Sequence, residues 1–99
     1  MNAGWADVTL SAGVGTGNWK HPQQTKNGYS GADSVQLDDT PPLVIPVRTA
    51  LPTDMGVGIV SIVATNTGVR IVSTHNSDDS TFRVWAFVKV PPTLFLGQS

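Results

Sequence analysis

The chain has 99 residues, which limits it to a single domain of modest core. Charged residues make up only 13%, against about 25% in ordinary soluble chains. The net charge of -1 and a pI near 6.0 leave no basic footprint for nucleic acid and no basic amphipathic face for a membrane surface. The absence of cysteine excludes disulfides and thiolate metal sites.

Trp5–Leu10 alternates Trp5, Asp7 and Thr9 with Ala6, Val8 and Leu10, the pattern of a strand with one apolar side. The opening Met1-Asn2-Ala3-Gly4-Trp5 lacks the basic and apolar regions of a secretory leader. Ser11–Gly17 is too glycine-rich to predict regular structure. Asn18–Ser34 is polar and nearly free of aliphatic residues. It reads as an arm lying on another surface, with Trp19 and Tyr29 as its contacts.

Val35-Gln36-Leu37 opens the expected core. Leu43–Arg48 reads as a strand that Pro46 confines to a sheet edge. Gly56–Thr65 and Val69–Thr74 form a predicted hairpin around Asn66-Thr67-Gly68, with Gly68 expected in the left-handed region. Thr81–Val90 follows as a third strand, completing a meander. No helix is expected. The organisation is one domain: a strand and arm over 1–34, a β-sandwich core over 35–91 and a tail over 92–99. On this reading, removing residues 1–34 leaves the core folded. The fold class is all-β, a small antiparallel sandwich or partly open barrel with a C-terminal meander and extended ends.

The last strand is apolar on both sides. Phe82, Val84, Ala86 and Val88 form one face, and Arg83, Trp85 and Phe87 share the other. The hairpin strand likewise carries Val60 and Ile62 on one face and Ile59 and Val63 on the other. A sheet with one wet side alternates cleanly; this one does not. Trp85, Phe87, Val60 and Ile62 are therefore assigned to an interface with other copies of the chain.

Other chemistry is weakly encoded. His21 and His75 occupy separate loops, so no metal site is assigned. Asp38-Asp39 and Asp78-Asp79 suit turns better than a calcium loop. Ser73 or Ser77, His75 and Asp78 make a triad only on paper, without a nucleophile elbow. Gly13-Val14-Gly15-Thr16-Gly17 lacks the Lys-Ser/Thr ending of a phosphate loop. No enzyme and no cofactor is expected. Trp5, Trp19, Tyr29 and Trp85 are the aromatics that could build a glycan platform, with Trp19, Tyr29 and Trp85 its main candidates.

The stretch Pro42–Arg48, the Leu51-Pro52 loop, GVGIVSIVATNTGVRIVST and TFRVWAFVKV resemble the small β-sandwich proteins that decorate tailed-bacteriophage virions. That resemblance implies a head decoration or cement protein, or a tail-associated adaptor. It would be located in the virion as a homo-oligomer, with a trimer expected, bound to a capsid or tail protein. A second likeness is to H-type lectin domains, whose late strand carries a Trp as Phe82-Arg83-Val84-Trp85-Ala86 does here. It implies a carbohydrate-binding module.

Overall fold

The computed structural model describes residues 2–25 and 28–89, with backbone alone at 22–25 and 28–33. All regular structure among these residues is β. The strands are β1 (Ala3–Thr9), β2 (Val14–Asn18), β3 (Lys20–Thr25), β4 (Gly28–Asp33), β5 (Leu43–Ala50), β6 (Val60–Ala64), β7 (Gly68–Ser73) and β8 (Thr81–Phe87). They form two antiparallel sheets, a larger one in the order β4-β3-β1-β8-β5 and a smaller one in the order β2-β7-β6.

Period-two alternation fills the space between the sheets. Ala6 and Val8 of β1 lie opposite Val84 and Phe82 of β8, and all four are buried. The smaller sheet answers with buried Val69 and Ile71, while Val60, Ile62 and Ala64 pack at the margin. Val44 of β5 and Leu37 complete the same cluster. As expected, β5 is an edge strand of the larger sheet, and it contains Pro46.

Trp19 is the corner of the sandwich. It is the single residue between β2 in one sheet and β3 in the other, and it is fully buried. Its indole Nε1 donates to the Thr65 carbonyl at 2.8 Å. Its backbone N–H donates to Thr67 O at 3.2 Å, and Leu37 N–H donates to Asn66 O at 2.8 Å. Successive carbonyls of the β6–β7 turn thus fasten the crossing chain. The geometry also satisfies an indole N–H that has no access to water.

Several expectations are corrected. The three last strands are not a meander: β8 leaves β6 and β7 and pairs with β1 and β5. The connection over 74–80 carries it across, closed by Leu10 N–H to Ser80 O (2.9 Å) and Gly13 N–H to Asp78 O (3.0 Å). Residues 1–34 are not an arm on a separate core. They supply β1 to β4 and the buried Trp19, so their removal takes strands from both sheets and part of the interior.

The glycine-rich stretch is regular after all. A Cβ on Gly15 would sit 2.8 Å from Thr9 O and from Val8 Cγ1, so glycine lets β2 cross close over β1. The predicted strand at 56 begins at Val60, because a Cβ on Gly58 would meet His75 N at 2.5 Å as the chain passes over it. Gly68 is not left-handed; the turn has two residues, Asn66 and Thr67, with Thr65 N–H bonded to Gly68 O at 2.8 Å. The expected tail over 92–99, and Val90–Pro91 before it, lie outside the described residues.

Replacing Trp19 by Ala removes both the largest core side chain and the bond to Thr65 O. Equilibrium urea unfolding is expected to show a loss of about 3–5 kcal/mol; a loss below about 1 kcal/mol contradicts the corner role.

Candidate functional site

The outer face of the larger sheet carries an unusual concentration of aromatic and aliphatic side chains. Alternation that buries Ala6, Val8, Val84 and Ala86 turns Trp5, Asp7, Arg83, Trp85 and Phe87 outward. Register then aligns them in rows: Trp5, Trp85 and Ile45 across three strands, and Ala3, Phe87 and Leu43 in the next. Val47 stands beside Arg83. Leu43, Ile45 and Val47 are 46–55% exposed, and Trp85 and Phe87 are each 39% exposed. Together these side chains form an apolar patch open to solvent.

One side of this patch is polar and ordered. Arg83 Nε and Nη2 donate to the two carboxylate oxygens of Asp7 at 2.8 and 2.9 Å, a bidentate pair. The guanidinium lies 4.5 Å from the Trp5 ring centroid and 5.9 Å from that of Trp85. Lys20 Nζ sits 5.2 Å from the Trp5 ring centroid. The hydrogen bonds from Arg83, together with its charge, hold the Asp7 carboxyl below its ordinary value against some desolvation. Cations thus hold the aromatic rings in place while the apolar row remains open.

Within the patch, Ala3, Gly4, Trp5, His21, Trp85 and Phe87 line an open depression of about 360 Å³ whose exposed lining is wholly apolar. His21 Nδ1 donates to Ala3 O at 3.3 Å. His21 lies on β3 and not in a loop.

The structure separates the residues singled out in the sequence. Trp85 and Phe87 share the outer face, as assigned. Val60 and Ile62 do not join them: they pack inward against the core, and the exposed side of β6 carries Ser61 and Val63. Alternation defines two faces without saying which is covered. Trp19 is buried and cannot meet a glycan. Tyr29 lies on β4, separated from β8 by β3 and β1, and only its backbone is described. The three proposed platform residues are therefore not brought together. Of the four aromatics only Trp5 stands beside Trp85, as its being out of phase with Ala6, Val8 and Leu10 implies.

The paper triad is also taken apart. His75 Nε2 faces Asp54 Oδ2 at 3.0 Å, and the Ser73 hydroxyl accepts from the His75 backbone N–H at 3.2 Å. Asp78 is fully buried. Its Oδ1 accepts from the N–H (3.0 Å) and hydroxyl of Ser80, and Arg48 Nη1 lies 3.8 Å away. Arg48 in turn donates to the Ser80 hydroxyl and stacks on Phe82, so Asp78 ties the crossover loop to β5. Its Oδ2 makes no hydrogen bond. Asp79 accepts from both the N–H (2.8 Å) and the hydroxyl (2.7 Å) of Thr53, and Asp39 from Lys89 N–H at 3.0 Å. These aspartates fasten loops. Among the described residues no three His, Asp or Glu side chains converge as metal ligands do.

No known protein family, curated protein or solved structure matches this chain.

Burial pushes the Asp78 carboxyl up, but the hydrogen bonds from Ser80 and the Arg48 charge outweigh it. The result lies below the ordinary 3.8. A depressed folded-state value means that the ionised form supports folding above pH 3.8. This support is lost as pH falls through the lower folded-state value. Thermal unfolding across acid pH is expected to show the midpoint falling below pH 3.8, and falling less steeply in Asp78→Asn. Parallel curves for the two proteins contradict the assignment.

Proposed function

We propose that this chain is a structural assembly module that covers the outer face of its larger sheet with other copies of itself. The specific reading is a small virion protein, of the head-decoration, cement or tail-adaptor kind, held on a capsid or tail protein as an oligomer. What supports it is the row Trp5–Trp85–Ile45 with Phe87, Leu43 and Val47 around it, open to solvent in the single chain. The low charge supports it too, since little polar surface competes for that face.

Covering this face removes apolar side chains from water, a favourable term that grows with the area covered. Pro46 argues for packing on the face over pairing at the edge of β5, because it removes a donor from that edge. Repeated attachment on a symmetric shell would then convert modest single contacts into durable binding.

A carbohydrate-binding module is the second reading, favoured by two tryptophans side by side. The wholly apolar lining of the depression weighs for a side chain over a sugar, whose hydroxyls need partners there.

Sedimentation velocity at micromolar concentration is expected to show an oligomer, three copies being the expected number. Ile45→Ser combined with Trp85→Ser is expected to give a folded monomer. A wild-type monomer overturns the proposal, and so does saturable glycan binding by a monomer that Trp85→Ser abolishes.

A further inference from the structure

The apolar depression needs an occupant, and the chain carries a suitable one. Beyond Lys89 the sequence continues Val90-Pro91-Pro92-Thr93-Leu94-Phe95-Leu96-Gly97-Gln98-Ser99. Three consecutive large apolar residues follow a proline pair, in a chain otherwise rich in Thr, Ser, Asn and Gly. We propose that Leu94-Phe95-Leu96 of one copy docks in the Trp5–Trp85–Phe87 depression of a neighbouring copy. This rests on the assembly reading above and names the contact that closes the assembly.

The direction of the chain argues for a neighbour over the parent copy. Phe87 ends β8 and also lines the depression, so the segment departs from the rim of its own site. Val88 packs against the core, away from the outer face, and donates to Asn2 O at 2.8 Å. Lys89 N–H is fastened to Asp39 Oδ2 at 3.0 Å, with its ammonium 3.8 Å from the same oxygen. The last two described residues therefore continue the line of β8 past Phe87, beside Asn2 and Asp39. The proline pair favours an extended course from there, about 3.1 Å per residue. Returning to the depression of its own copy requires a reversal within the few residues before Leu94. Reaching a neighbour requires only continuing, and the six residues from Lys89 to Phe95 extend to about 20 Å.

The chemistry matches. Aromatic-lined, uncharged grooves hold extended apolar or proline-containing segments through ring stacking and apolar burial. The depression offers two indoles and a phenyl ring, with no exposed polar lining to leave unsatisfied. Because the donated segment and the accepting depression are different surfaces, the contact is heterologous. Such a contact closes into a ring when the rotation permits. A ring of three is consistent with the expected trimer.

The full-length chain tests this. p-Benzoylphenylalanine replaces Phe95, and isotopically light and heavy copies are mixed before irradiation. Mass spectrometry is expected to find light–heavy crosslinks into residues 3–5 or 85–87. In parallel, a variant with Leu94→Ser, Phe95→Ser and Leu96→Ser is expected to sediment as a folded monomer where wild type is oligomeric. Crosslinks confined to single copies overturn the exchange between neighbours. A serine variant that remains as oligomeric as wild type, with no crosslink to the depression, overturns the docking while leaving the assembly reading intact. A monomeric wild type overturns the assembly reading and this inference together.

Discussion

Trp19 decides how the surfaces of this molecule are spent. At one residue the chain passes from the smaller sheet to the larger, and the indole is locked to the Thr65 carbonyl with no access to water. The smaller sheet is thereby committed to one side of the larger sheet. There it seals Ala6, Val8, Phe82, Val84 and Ala86. A strand has two sides, and no second sheet exists among the described residues to cover the other. The apolar character of Trp5, Trp85, Phe87, Ile45, Leu43 and Val47 then becomes a property of the outside.

That constraint links the fold to the functional reading. The rigid backing is β8, held between β1 and β5 by continuous antiparallel pairing. The bidentate Asp7–Arg83 pair fixes the rings at one border, so the patch is preformed and loses little entropy when covered. The smaller sheet's outer side also carries exposed aliphatic residues, Val14, Val63 and Val72 with Val57 and Ile59 leading into β6, but these are interrupted by Thr16, Ser61 and Arg70 and include no aromatic ring. The buried Asp78 belongs to a different task, bracing the loop that carries β8 from one sheet's end to the other sheet.

Much of this was legible in the residues, for definite reasons. Alternation identified β1 and β8 and placed Trp85 and Phe87 on the face opposite Val84 and Ala86. Pro46 located β5 at an edge. The pairing of β8 was not legible, because the loop at 74–80 is as compatible with a hairpin as with a crossover. Its true partner, β1, is about 75 residues away, and such long-range pairing leaves no local mark. β2 was hidden by glycines that strand propensity disfavours but close approach to Val8 and Thr9 requires. Trp19 looked like an arm residue because its neighbours are polar, and its burial depends on carbonyls contributed from residues 65 and 67. The inward turn of Val60 and Ile62 depended on where the second sheet lies, which no single strand reveals.

Hydroxyl-radical footprinting across a concentration series tests the central claim most directly, because it reads each face separately. The exposed loop residue Met55 serves as an internal reference. The account predicts that Trp85, Phe87 and Ile45 are protected at high concentration and become reactive on dilution, while Met55 reacts equally throughout. Equal labelling of Trp85 and Phe87 at every concentration would contradict it.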